Sequence, residues 1–188
     1  MKSRPNSWRG VLAACASLAA VAGCADLPII SYAYYDIGYM PAEYRRELPV
    51  VVRGNPFAAP QATTDQAVAD DLRGTGYGGV TTFVVAPAGP APVYRLVVMF
   101  NQPVALGAFG LCVRPQPSDA AFGAAPAARV GFLAALCRGD KAINYTEGSL
   151  AVGSGPASPA FRDGIVQIGL TLLPAYNPAE PGGDAFPD

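Results

Sequence analysis

Glycine and proline interrupt this chain so often that no element can run long: 21 Gly and 19 Pro fall among 188 residues. That density excludes a long helical bundle or coiled coil, and the absence of a Gly-X-Y period excludes a collagen-like rod. Between the interruptions lie short apolar runs. With 51% hydrophobic and 14% charged residues, the chain can bury one modest core and has little left for a second. It contains no histidine. Ser-His-Asp and Cys-His catalysis, two-His metal sites and histidine pH switches are therefore excluded. A net charge of −1 excludes a nucleic-acid binder working by counterion release.

The apolar runs and their stops predict the elements. Pro49 to Arg53 reads as a buried strand halted by Gly54-Asn55-Pro56. Thr63 with Gln66 three residues on predicts a capping box and a helix to Arg73, stopped at Gly74; Ala67, Val68 and Leu72 form its apolar face, with Asp65, Asp70 and Asp71 outward. Thr81 to Ala86 and Tyr94 to Asn101 are β-branched runs joined by Pro87 to Pro92, as a hairpin or a short crossover. Leu111 to Arg114 predicts a shorter strand, and Pro115 to Ala128 a long exposed loop. Val130 to Arg138 and Ala142 to Val152 predict a hairpin about Gly139-Asp140, glycine supplying the positive φ that begins a type II′ turn.

Ser158 and Pro159 form an N-cap and first-turn pair. Behind them Phe161, Ile165, Ile168 and Leu172 recur on one helix face until Pro174. This order predicts an α+β fold: an antiparallel or mixed sheet of about five to six strands, two helices packed on one face, the other face open to water or a partner.

Lys2, Arg4 and Arg9 precede an uncharged stretch whose apolar core, Val11 to Val21, is well short of the roughly 20 residues that span a bilayer. This is the pattern of a secretory signal peptide. The stretch closes with Val21-Ala22-Gly23-Cys24, which resembles the lipobox of bacterial lipoproteins. That resemblance implies a thioether-linked diacylglycerol on Cys24, cleavage before it, and acylation of the new amine. Two or three acyl chains anchor durably where one binds marginally. Ala25 after the cysteine implies sorting to the outer membrane. The expected organisation is a signal peptide over 1–23, a lipidated Cys24 and Tyr-rich tether over 24–47, one α+β domain over 48–174, and a disordered tail over 175–188. Loss of residues 1–23 leaves ten cations against 14 acids, a mature charge of about −4, so attachment rests on lipid and not on a basic patch.

Cys15 leaves with the signal peptide and Cys24 is modified, so Cys112 and Cys137 remain as a pair in an oxidising compartment. A Cys112–Cys137 disulfide is expected, worth roughly 3 to 4 kcal/mol in chain entropy. Without CxxC spacing or a histidine partner, the pair does not read as a metal or redox site.

Other motifs resolve to structure. Gly74-Thr75-Gly76-Tyr77-Gly78-Gly79 satisfies GxGxxG, but a dinucleotide fingerprint needs the glycines after a strand and before a helix. Here they follow a helix, as a connection. Arg138-Gly139-Asp140 reads as a hairpin turn, Asn144-Tyr145-Thr146 as strand, and Ser154 lacks both GxSxG context and a base. No cofactor, metal site or catalytic residue is expected.

Tyr32, Tyr34, Tyr35, Tyr39 and Tyr44 crowd one short segment. They are candidates for a glycan-stacking or partner surface, since tyrosine offers apolar area at low entropic cost; in the alternative reading some pack on the body of the domain while the rest line a linker. Asp36, Glu43, Glu47, Asp140 and Glu147 are the acids from which a paired-carboxylate hydrolase could draw, though their spacing brings no two together. The element order resembles small α+β domains of envelope assembly lipoproteins, among them lipopolysaccharide-assembly and curli-secretion components. Val51 to Phe57 with Tyr94 to Asn101 resembles uncharacterised proteobacterial lipoproteins. The resulting expectation is a non-enzymatic lipoprotein on the periplasmic face of the outer membrane. Its partners would be the lipid bilayer, through acylated Cys24, and a protein or cell-wall polymer, with no nucleic acid. A carbohydrate- or small-ligand-binding module is the alternative, and an acid-pair hydrolase the third.

Overall fold

A computed structural model describes residues 29–35, 46–75, 82–101, 108–113 and 128–173. The predicted signal peptide, Cys24, Tyr39, Tyr44, Asp36, Glu43 and the predicted tail lie outside these residues, as does nearly all of the predicted 115–128 loop.

The order of elements is β1 (Ile29–Tyr35), β2 (Glu47–Arg53), α1 (Gln61–Asp71), β3 (Thr82–Val85), β4 (Tyr94–Phe100), α2 (Ala108–Cys112), β5 (Arg129–Arg138), β6 (Lys141–Ala151) and α3 (Pro159–Leu172). The six strands form one mixed sheet in the order β1-β6-β5-β4-β2-β3, so the α+β expectation holds. β2 runs parallel to both β3 and β4, whereas the β4-β5-β6-β1 pairings are antiparallel. β3 and β4 therefore flank β2 without touching, and the segment between them is a crossover and not a hairpin.

β4 lies inside the sheet and buries all seven of its residues, which explains its unbroken apolar run. On one face, Leu96, Val98 and Phe100 of β4 meet Leu48 and Val50 of β2, Val68 and Leu72 of α1, and Phe161, Ile165, Ile168 and Leu172 of α3. The predicted stripe of α3 is wholly buried. Phe161 anchors it, with its ring edge-on to Phe57 at 4.9 Å and tilted against Phe100 at 5.7 Å. Asn144 supplies the other end, its side-chain amide donating to the Leu172 carbonyl at 2.8 Å. Such a bond answers one of the carbonyls a helix leaves open at its C-terminus.

The opposite face is not open at its centre. Val97, Met99, Leu133, Ala135 and Cys137 pack there with Leu111 and Cys112 of α2. α2 replaces the strand expected at Leu111 to Arg114. The Cys112–Cys137 disulfide pins it to β5 with a Cα separation of 5.6 Å.

Two further expectations change. Helix α1 begins earlier than the Thr63 capping box, after Pro60, and no side chain caps it. Its entrance is held by Asn55 instead: Asn55 Oδ1 accepts from the Phe57 amide at 3.0 Å and the Thr64 hydroxyl at 2.9 Å, and Asn55 Nδ2 donates to the Ala59 carbonyl at 2.6 Å. Ala69 is buried beside Val68, while Ala67 is half-buried. The second change is β1. Part of the predicted tether is a sheet strand, with Tyr32, Tyr34 and Tyr35 in register with Glu147, Tyr145 and Asn144 of β6.

Candidate functional site

The parallel and antiparallel pairings bring four features to one end of the sheet. β2 finishes there at Arg53, β5 starts at Arg129 opposite Ala151, β6 finishes at Ala151, and β1 starts at Ile29 opposite Ser149. Among the loops that leave from this end are one into α1 and one into α3, and between them lies a groove of about 470 Å³. Its walls are Pro56 to Ala59 on one side and Val152 to Pro156 on the other, with Ala128, and none of these residues is ionisable. Ser158 fixes the second wall. Its hydroxyl donates to the Val152 carbonyl at 2.9 Å and accepts from the Phe161 amide at 3.4 Å, so one side chain both caps α3 and ties it to β6. Gly153, at φ +57°, has room for no side chain, because a Cβ would sit 2.7 Å from that of Ser158.

A second groove of about 240 Å³ borders β2, walled by Val51, Arg53, Asp65 and the crossover from Val85 to Pro92. The crossover is held at both ends by main-chain bonds, from the Ala86 amide to the Val50 carbonyl at 2.8 Å and from the Gly139 amide to the Val93 carbonyl at 2.6 Å. Gln61 Nε2 donates to Asp65 Oδ1 at 2.7 Å, fixing the one carboxylate in this wall.

The remaining sequence candidates are dispersed. Glu47 opens β2, Asp140 sits in the β5–β6 turn and Glu147 lies in β6. β2 and β6 are three strands apart, about 14 Å at the usual strand spacing. Ser154 lines the larger groove, whose walls hold no general base. Among the described residues, no three His, Cys, Asp or Glu side chains gather as metal ligands. Gly74, at φ +79°, follows α1 as a helix stop, with the Thr75 hydroxyl donating to the Leu72 carbonyl at 2.6 Å; Gly76, Gly78 and Gly79 lie outside the described residues.

Two charged groups tie the helices together. Arg162 of α3 approaches Asp71 of α1 at 3.4 Å. Burial raises the Asp71 carboxyl above its ordinary pKa, and Arg162 pulls against that rise. Elsewhere Arg95, 4% exposed, donates to the Pro92 carbonyl at 3.0 Å and the Cys112 carbonyl at 2.7 Å. The sequence offered no signal for this buried arginine, nor for the groove between the two loops, since both depend on contacts distant along the chain.

No protein family profile and no curated protein sequence matches the chain. Solved structures do resemble it, two of them in similar measure. Both are PelC from Paraburkholderia phytofirmans, described as dodecamers, one of them a single-substitution variant. Each shares 17% sequence identity and covers 78% of this chain; the variant gives a TM-score of 0.42 over 98% of its own length, and the other 0.43 over 99%.

Proposed function

We propose that this protein is a lipid-anchored lipoprotein of the bacterial envelope. Its α+β domain acts as a non-enzymatic interaction module on the periplasmic face of the outer membrane. The observation that carries this reading is the N-terminal sequence: three cations, a short uncharged apolar segment, then Val21-Ala22-Gly23-Cys24. The Cys112–Cys137 disulfide supports export, because such a bond persists in an oxidising compartment. The absence of histidine and the larger groove's lining of small and apolar residues favour binding over catalysis.

The test is mass spectrometry of the protein purified from bacterial membranes, beside a Cys24→Ser variant. The expected result is an N-terminal peptide starting at Cys24 with diacylglyceryl and acyl groups, and a variant that keeps its signal peptide or leaves the membrane fraction. An intact leader on the wild type, or a bare thiol at Cys24, would refute the reading. The interaction role is tested separately, by crosslinking in whole envelopes and co-sedimentation with cell-wall polymer. Recovery of neither a protein nor the polymer counts against it.

A further inference from the structure

We infer that the loop end of the sheet, carrying Pro56 to Ala59 and Val152 to Pro156, is the surface that lies against the phospholipid bilayer. This rests on the acylation of Cys24 proposed above and adds an orientation to it.

The argument begins with reach. Cys24 precedes Ile29, the first residue of β1, by only five residues. Five residues at full stretch span at most about 18 Å. The headgroup zone of one leaflet takes about 6 Å of that, leaving about 12 Å between the membrane surface and the start of β1. β1 starts beside Ser149, at the end of the sheet where β6 finishes and the α3 loop departs. The β5–β6 turn at Gly139-Asp140 is the opposite end. It lies eight residues back along β6, about 26 Å at the usual rise per residue. A tether this short keeps the start of β1, at the grooved end, within about 12 Å of the surface and sets no such limit on the turn.

The chemistry of that end agrees with its position. No ionisable residue occurs from Gly54 to Thr64 or from Gly148 to Phe161. In a chain with 14 acids, acidic loops would be repelled by an anionic leaflet, and these two loops carry none. Ala58, Pro60, Gly153, Ser154 and Ala157 are exposed, with Phe57 and Pro156 half-buried behind them. Such a surface of small, apolar and hydroxyl groups can be desolvated against headgroups without burying a charge.

The experiment uses the acylated full-length protein in vesicles of phosphatidylethanolamine and phosphatidylglycerol. A single cysteine carrying an environment-sensitive fluorophore is introduced as Ala58→Cys, Ser154→Cys or Asp140→Cys, all exposed positions, with the native disulfide left oxidised. The quencher is a nitroxide on the lipid headgroup. Quenching several-fold stronger at positions 58 and 154 than at 140 is expected. Equal quenching at the three positions, or stronger quenching at 140, overturns the orientation while leaving the anchor intact. Emission changes at 58 and 154 that follow protein density and ignore the quencher would mean that a second copy covers this end, and would also overturn it. Intact mass of the same sample separates the two claims, since an unacylated Cys24 removes both.

Discussion

Arg95 Nη2 donates to the carbonyl oxygen of Cys112 at 2.7 Å, so a buried guanidinium grips the residue whose sulfur is bonded to Cys137. Two different interactions thus hold one short helix against the sheet. Because α2 spans only Ala108 to Cys112, it has too few residues to be stable by itself. Its position depends on these ties and on the burial of Leu111.

Removal of the disulfide is expected to be costly. The two cysteines are 25 residues apart, for which the loss of a cross-link costs about 3 to 4 kcal/mol in the unfolded-state account. Cys112→Ala combined with Cys137→Ala should lower the urea midpoint accordingly, and reduction of the wild type should do the same. Equal midpoints for oxidised and reduced protein would contradict this.

Gly169 in α3 packs tightly against the residues that follow α1. A Cβ there would lie 2.8 Å from Thr75 Cβ and 2.9 Å from Leu72 Cδ2. Gly169→Ala should therefore destabilise the protein by about 1 to 3 kcal/mol through overpacking, although alanine favours helix. Gly131→Ala is the control: its Cβ would find only Gly148 O at 3.9 Å, an ordinary contact. Thermal unfolding of the two variants should separate them clearly.

Asp71 should give stability a measurable pH dependence. Burial raises its folded pKa above the ordinary 3.8, against the pull of Arg162. The native state then holds this proton more tightly than the unfolded state. Its contribution to stability falls as pH rises from 3.8 through the raised value, and is flat above it. Asp71→Asn should remove that part of the slope. Denaturant unfolding across this acidic window would show it, and an unchanged slope would refute the assignment.

Legibility followed how local each determinant is. The stripe Phe161, Ile165, Ile168 and Leu172, with Ser158 and Pro159 before it, is a local pattern, and α3 follows it closely. The two-residue turn between Arg138 and Lys141 is equally local: Gly139 has φ +57°, and Asp140 keeps an ordinary negative φ. Leu111 to Arg114 reads as a strand yet Leu111 and Cys112 are helical, because a short apolar run has no period to decide between the two. Thr63 and Gln66 matched a capping box, yet Pro60 starts the helix one turn earlier and Asn55 engages Thr64. The tyrosines near β1 read as a tether, but aromatic residues also favour strands, and only the distant β6 decides between these. The pairing of β2 with two later strands has no local signature at all. Neither does the larger groove, whose walls are nearly a hundred residues apart in sequence.

The pairing of β1 with β6 carries a kinetic consequence. Ile29 meets Ser149, some 120 residues later, so β1 has no neighbour to join until nearly the whole domain has emerged and the β5–β6 hairpin exists. Closing so large a ring is entropically unfavourable and slow compared with forming the hairpin or α3. β1 is therefore among the last elements to take its place, and until it does the outer margin of β6 stands bare as a template for pairing with other chains.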